Sequence, residues 1–153
     1  MDVEAKLREL SLTLPEAPKP VASYVPAVRA GNLLLVSGQL PFREGKLLAT
    51  GKVLSDVLLA EAQEAARQCV LNALAIVKAE LGGDWSKLVR CVRLGAFVQS
   101  DDDFTDQPKV ANGASDLLQQ VLGEAGRHAR AAVGVNALPL NAAVEIEFMF
   151  ELR

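Results

Sequence analysis

The strongest constraint on the fold is residues 128–150, where two stretches of alternating side chains flank a short turn. From Val144 to Phe150 an apolar residue occupies every second position, with Glu145 among the residues between them. Such alternation is typical of a strand that buries one face. Residues 131–137 alternate in the same way, so this part of the chain predicts two strands that pair as an antiparallel hairpin around Leu138–Ala142.

Each of these predicted strands has a core face and an opposite face. The predicted core face of the first strand consists of Ala131, Val133, Val135 and Ala137. The opposite face then carries Arg130, Ala132 and Gly134, and Glu145 takes the equivalent place on the second strand. Small side chains beside a charge leave room for another chain or a ligand.

Several short motifs resemble the YjgF/RidA superfamily and occur in a consistent order between residues 20 and 153. They are Gly31-Asn32, Val36-Ser37-Gly38-Gln39-Leu40-Pro41, Ala129-Arg130, Leu138-Pro139 and Val144-Glu145-Ile146-Glu147. The resemblance implies a chorismate-mutase-like α+β domain that forms homotrimers. It is specific for the superfamily but not for one activity.

Composition limits the classes of function. With 153 residues, half of them hydrophobic, the chain is the size of one folded domain. A net charge of −3 and a pI near 5.2 argue against nucleic-acid binding, because phosphate contacts need a basic face. We expect neither a membrane span nor a signal peptide, and therefore a cytoplasmic protein. Cys69 and Cys91 are predicted to be buried thiols and not a disulfide framework.

The remaining patterns predict the order of the elements. Strands are expected at 22–29, 32–38 and 88–98, with a weaker one near 46–49, and helices at 56–81 and 106–122. Ser55 or Asp56 is the expected cap of the first long helix. These elements predict an α+β fold in which a mixed or antiparallel sheet carries two helices on one face. Residues 1–20, with a short helix near 3–10, are predicted to be an N-terminal arm, and 21–153 a single domain.

Arg130 and Glu145 are the candidate catalytic residues. The guanidinium fork suits bidentate binding of a carboxylate, and Glu145 is a candidate to activate water with a pKa raised by Glu147. From the pattern alone, a surface arginine and a solvated acidic face are the simpler interpretations. The resemblance reverses that preference, because the matching arginine binds the substrate carboxylate and the matching glutamate is catalytic.

The resemblance also implies which residues line the pocket. They are Tyr24, Ser37, Gly38, Asn112 and, through its backbone N–H, Ala132. His128 is the only histidine, so no multi-histidine metal site is expected, and it is predicted either to rim the pocket or to be a plain loop residue. Ala131-Ala132 replaces the Ser-Cys of RidA proper, and Gln107-Pro108-Lys109 resembles an insertion. Both departures indicate a distinct subgroup.

The predicted hairpin sets a distance between the two candidate catalytic residues. In that pairing Arg130 lies opposite about Met149, which places it on the order of 15 Å from Glu145 at about 3.3 Å per residue. One small substrate cannot reach both side chains of one chain. We therefore predict sites between subunits, in agreement with the homotrimer that the resemblance implies.

Three functions remain open from the sequence. The first is hydrolysis of small 2-imino or 2-enamino acids to 2-keto acids and ammonia, which needs no cofactor because such imines already hydrolyse in water. The second is a non-catalytic trimer that binds or senses a small carboxylate. The third, a ribonuclease or translation inhibitor, follows labels given to some relatives and is disfavoured by the acidic pI.

Overall fold

The computed structural model describes residues 2–19 and 23–153. Within these ranges the chain forms three α-helices and seven β-strands. The helices are α1 (Val3–Glu9), α2 (Leu59–Glu80) and α3 (Gln107–Leu122). The strands are β1 (Ala27–Ala30), β2 (Leu33–Gln39), β3 (Phe42–Arg43), β4 (Lys46–Leu47), β5 (Leu88–Gln99), β6 (Ala129–Val135) and β7 (Val144–Leu152).

The main sheet has the strand order β1-β2-β7-β5-β6, and β3 and β4 form a separate two-stranded ribbon. Helices α2 and α3 cover one face of this sheet, so the predicted α+β architecture with a mixed sheet is confirmed. Only the β5–β6 pair among these five strands is parallel. That pair arises because α3 carries the chain back across the sheet before β6 begins.

The predicted hairpin between residues 130–137 and 143–150 is wrong, because β5 lies between β6 and β7. The connection explains the difference. After β6, the backbone N–H of Leu138 donates to Gln99 Oε1 (2.8 Å), and Gln99 Nε2 donates to Asn141 Oδ1 (2.7 Å). Gln99 is the last residue of β5, so the connection crosses the end of β5 before β7 begins.

Strand β6 also turns the face opposite to the predicted one toward the core. Ala132 pairs with Ala96 and packs against the core, whereas Ala131 is exposed and Val133 is 46% exposed. Alternation defines two faces of a strand, but it does not say which face the helices cover. The small side chains of β6 give little hydrophobic preference to either face.

The helices pack closely because their contact surfaces carry small residues. Ala62, Ala66, Cys69 and Ala73 of α2 are completely buried. A Cβ on Gly113 of α3 would overlap the Gln63 carbonyl oxygen of α2, so only glycine permits this approach. The predicted caps Ser55 and Asp56 are wrong: α2 begins at Leu59, and Glu61 accepts a hydrogen bond from the Leu58 N–H (2.8 Å).

The first residues of the chain belong to the same core. Val3 and Leu7 of α1 are buried, which confirms the short helix predicted there. Glu4 accepts a hydrogen bond from Trp85 Nε1 (3.0 Å) and forms an ion pair with Lys78 (2.8 Å). The predicted boundary between arm and domain, at residues 20–21, lies outside the described residues.

Candidate functional site

Arg130 of β6 is held by α3. It pairs with Leu94, whose side chain is buried beneath the helices, so the Arg130 side chain projects toward the helix layer. Its Nη1 donates to Asn112 Oδ1 (2.9 Å) and to Ser115 Oγ (3.0 Å). Within the described ranges, Nε and Nη2 donate to no protein group. The parallel N–H groups along that edge fit the two oxygens of a carboxylate.

His128 lies beside this arginine. Its Nε2 is 3.0 Å from Ser115 Oγ, and its Nδ1 is 2.6 Å from the Gly126 carbonyl oxygen. Burial lowers the pKa of His128, and the charge of Arg130 lowers it further, while the Gly126 carbonyl opposes the shift. The net shift favours the neutral imidazole.

Ser115 was not identified from the sequence. The signal that would have found it is its spacing from Asn112, because residues three apart on a helix share one face. Both side chains consequently reach the same nitrogen of Arg130.

Glu145 of β7 projects from the other face of the sheet. It pairs with Phe97, which lies on the face opposite to Leu94 of the same strand. Glu145 is half-buried and forms no hydrogen bond or ion pair with any described residue. Burial raises the pKa of this carboxyl group, and the charge of Glu147 raises it further. Glu147 is itself bound by Arg93 Nη1 at 2.8 Å.

Two glycines make room for these carboxylates. A Cβ on Gly38 would overlap Glu145 Oε1, and a Cβ on Gly95 would lie 2.8 Å from Glu147 Oε1. Gly38 lies in an irregular part of β2, where its register with β7 shifts between Val36 and Gln39. Gly95 was not singled out in the sequence, although a glycine inside a strand often marks such a close approach.

Gly38 also borders an open cleft of about 420 Å³. Its lining includes Tyr24, Leu40, Phe42, Pro15 and Pro18, and is mostly apolar. The two prolines come from the N-terminal segment. This segment therefore forms one wall of the cleft, beside the candidate residues Tyr24 and Gly38. The sequence patterns did not predict this contribution.

Ser37 contacts the backbone through its side chain, and Ala132 offers its own backbone N–H group. Ser37 Oγ donates to the Val25 carbonyl oxygen (2.9 Å), which secures the segment next to Tyr24. Ala132 is half-buried on β6, one of the two edge strands of the main sheet, and the outer edge of β6 has no neighbouring strand in the described chain. Alternate N–H groups of an edge strand are free to bind another molecule.

The structure thus gathers the candidates into two groups. Arg130, Asn112 and His128 lie together on the helix side, and Glu145 and Gly38 lie together on the open side, near Ser37 and Tyr24. The expectation that Arg130 and Glu145 share one face of the sheet is wrong. Their partners on β5 are three residues apart and two strand spacings separate the strands, which gives about 14 Å between the backbones.

The described residues form neither a metal-binding cluster nor a membrane-spanning helix. Across residues 2–19 and 23–153, no group of three or more histidine, cysteine or acidic side chains is arranged to hold a metal ion. No helix in the described part of the chain is both long and apolar enough to cross a membrane. Cys69 and Cys91 are buried and unpaired, as predicted.

Known proteins resemble the chain over nearly its whole length. Residues 4–152 match the family described as "YjgF/chorismate_mutase-like, putative endoribonuclease". Protein TCP17 of Trypanosoma cruzi is 46% identical over 99% of this chain and 94% of its own. The 2-iminobutanoate/2-iminopropanoate deaminase of Dermatophagoides farinae is 31% identical over 89% of this chain and 91% of its own. The chain belongs to the YjgF/RidA superfamily.

A solved structure is also similar to the chain over nearly its whole length. A protein of unknown function from Agrobacterium tumefaciens has a TM-score of 0.93 and 53% identity, covering 99% of this chain and 92% of its own. The match to the YjgF/chorismate-mutase-like family confirms the predicted chorismate-mutase-like fold. The family match begins at residue 4, so it includes most of the N-terminal segment that the sequence motifs left outside the resemblance.

Proposed function

We propose that the protein hydrolyses small 2-imino and 2-enamino acids to 2-keto acids and ammonia. The observation that carries this proposal is Glu145, a half-buried carboxylate with no protein partner among the described residues, a raised pKa, and a space kept open by Gly38. A carboxylate of this kind is suited to take a proton from an attacking water. The deaminase name of the Dermatophagoides farinae relative supports the same substrate class.

Arg130 binds the substrate carboxylate in this proposal. Its Nε and Nη2 edge supplies two parallel donors, and the backbone N–H of Ala132 is a candidate third donor. Tyr24, Ser37 and Gly38 shape the pocket on the Glu145 side. Asn112 and His128 act through the arginine that they surround.

The reaction needs one proton carrier and no cofactor. In the protonated imine, water attacks C2 as Glu145 takes one proton from the water, and the electrons of the C=N bond move to the nitrogen, which gives a carbinolamine with an NH2 group. Glu145 returns that proton to the nitrogen, and the C–N bond then breaks as the remaining hydroxyl proton passes to Glu145. Ammonia leaves, the C2 oxygen becomes the ketone, and Glu145 releases its proton to solvent. Positioning the water and the carboxylate together supplies most of the rate increase for a reaction that already proceeds in water.

The site lies between subunits of a homotrimer in this proposal. One chain places Arg130 and Glu145 on opposite faces of its sheet, so they meet only if a neighbour brings its own Glu145 to the Arg130 edge. The open face of the sheet supports association, since it exposes several large apolar side chains. These are Val28 (55%), Leu35 (41%) and Val133 (46%).

The test is release of ammonia and keto acid from freshly generated 2-aminoacrylate and 2-aminocrotonate. We expect the wild type to accelerate release above buffer, and Arg130→Ala and Glu145→Gln to abolish most of that acceleration. Glu151→Gln is the matched control, because it neutralises a carboxylate on the same strand and face. A folded oligomer that gives no acceleration contradicts the proposal.

Binding of a small carboxylate without turnover is the second candidate function. Ala131-Ala132, in place of the Ser-Cys pair of RidA proper, favours it because a thiol and a hydroxyl are missing beside Arg130. Calorimetric titration with 2-ketobutyrate separates the two functions. Binding that depends on Arg130, together with no ammonia release, indicates a sensor.

A further inference from the structure

A chain of hydrogen bonds connects Arg130 to the backbone at Gly126. Arg130 Nη1 donates to Ser115 Oγ (3.0 Å), Ser115 Oγ lies 3.0 Å from His128 Nε2, and His128 Nδ1 lies 2.6 Å from the Gly126 carbonyl oxygen. The hydrogen bonds at both ends of this chain can run in only one direction, from donor to acceptor. A guanidinium can only donate, and a carbonyl oxygen can only accept.

These fixed ends determine where the protons lie. His128 Nδ1 must carry a proton, because it contacts a carbonyl oxygen. Ser115 Oγ accepts from Arg130, so its own proton is available for Nε2. Nε2 accepts that proton only if it carries none itself. Every group in the chain is therefore satisfied by one form of His128, the neutral imidazole protonated on Nδ1.

We propose that Ser115 and His128 are positioning residues that set the orientation of the Arg130 guanidinium for a ligand carboxylate. His128 fixes the Ser115 hydroxyl, and Ser115 and Asn112 together occupy Nη1. The Nε and Nη2 edge is then presented outward in one orientation. This inference rests on the proposed function only in assigning the ligand carboxylate to Arg130.

The benefit of such a device is entropic. A free arginine side chain samples many rotamers, and ordering it on ligand binding costs conformational entropy. Two hydrogen bonds to one helix order the side chain before the ligand arrives. Affinity rises because less freedom is lost on binding.

Protonation of His128 would break the chain. Nε2 would become a donor, the Ser115 proton would lose its acceptor, and a second cation would face Arg130. The other charged groups at this surface are Asp116 and Arg127, and Arg127 forms an ion pair with Glu124. Only neutral His128 therefore keeps the Ser115 hydroxyl in place to accept a hydrogen bond from Arg130.

The first test reads the tautomer in the ligand-free protein. His128 is the only histidine, so the imidazole nitrogens of the ¹⁵N-labelled full chain give a single pair of NMR signals. We expect a protonated Nδ1 and an unprotonated Nε2 at pH 7, whereas free histidine prefers the other tautomer. Ser115→Ala should shift the Nε2 signal. Protonation on Nε2 in the wild type would overturn the proposal.

The second test measures affinity for 2-ketobutyrate by calorimetry. We expect Ser115→Ala to raise the Kd roughly five-fold, the equivalent of about one hydrogen bond, and Ser115→Thr to restore most of the affinity. Gln120→Ala, an exposed change on the same helix, is the control. An unchanged Kd in Ser115→Ala overturns the positioning role.

The two tests keep this inference separate from the proposed function. If the wild type binds no carboxylate, the assignment of Arg130 fails, and with it both the proposed function and the positioning role. If the carboxylate binds through Arg130 while Ser115→Ala has no effect, the proposed function stands and only the positioning role fails.

Discussion

Arg130 and Glu145 have contrasting surroundings. Arg130 is anchored by two hydrogen bonds to α3, while Glu145 has no partner among the described residues and sits over a glycine. A group that binds a fixed charge benefits from being held in advance, because less entropy is lost on binding. A group that exchanges protons benefits from a partner-free, partly buried setting that raises its pKa. Under the proposed function, the residue that binds the carboxylate is preorganised, and the residue that exchanges protons is left without a partner.

Substitution of Glu145 and substitution of Arg130 should change different kinetic constants, and the change at Glu145 should be the larger. Glu145→Gln should lower kcat by about 100-fold or more, since a positioned general base contributes roughly 10²–10⁴ in rate. Arg130→Ala should act mainly on KM, because it removes an interaction made before and during the reaction. Steady-state assays with 2-aminocrotonate check both. If both changes lower kcat alone, the division of roles is wrong.

Substitution of the two glycines tests whether the space around Glu145 is needed for catalysis. Gly38→Ala should reduce kcat about 10-fold or more, because its Cβ occupies the position of Glu145 Oε1. Gly95→Ala is the matched variant: it adds the same methyl group beside Glu147, which Arg93 holds away from the proposed chemistry. Its effect on kcat should be clearly smaller. Equal losses in both variants would mean that the space around Glu145 has no special role.

Mixed oligomers test whether the two halves come from different chains. At substrate concentrations well below the KM of Arg130→Ala, chains with Arg130→Ala or with Glu145→Gln are each expected to show little activity alone. Unfolded together and refolded as a mixture, they should regain about one quarter of the wild-type activity per site, the fraction of random neighbour pairs that contain both residues. No recovery in mixtures that do form joint oligomers would place both residues of a site in one chain.

The smallest expected effect concerns stability and pH. The folded protein raises the pKa of Glu145, so between the unfolded and folded values the folded state binds more protons. Stability from this group therefore falls as the pH rises through that interval. Glu145→Gln should raise the Tm at pH 7, by only on the order of 1 °C because the carboxyl group is partly exposed to solvent.

Thermal unfolding followed by circular dichroism at pH 3 and pH 7 measures this change. At pH 3, where the carboxyl group is protonated in both states, the difference in Tm should vanish. Glu151→Gln controls for the loss of one negative charge from the same face of the sheet. A lower Tm at pH 7 for Glu145→Gln would contradict the raised pKa.

Some of the fold follows directly from the sequence. The alternation of large apolar residues in β7 predicted both the strand and its buried face, because burying four such side chains outweighs every alternative. They are Val144, Ile146, Phe148 and Phe150. In β6 the same alternation involves alanine, glycine and valine, where the gain on either face is small. The buried face of β6 was therefore decided by α3 and not by its own residues.

The sequence predicted which residues belong to the candidate site, but it did not predict where the fold places them. Arg130 and Glu145 were identified from the sequence motifs. The sheet order that separates them depends on the pairing of β6 with β5, which precedes α3 in the sequence. The contact of Gln99 with the connection after β6 directs that order, and no local pattern reports it. Ser115 and Gly95 were missed because each matters only through a residue distant in sequence.

The packing of α1 gives the protein a built-in optical reporter. Trp85 is the only tryptophan in the chain, and its indole N–H binds Glu4 while the ring is largely buried. Release of the first helix would expose that ring to water and shift its emission to longer wavelengths. The fluorescence of the unmodified protein therefore reports whether α1 is packed on the core. Helix α1 belongs to the N-terminal segment whose Pro15 and Pro18 line the cleft beside Tyr24.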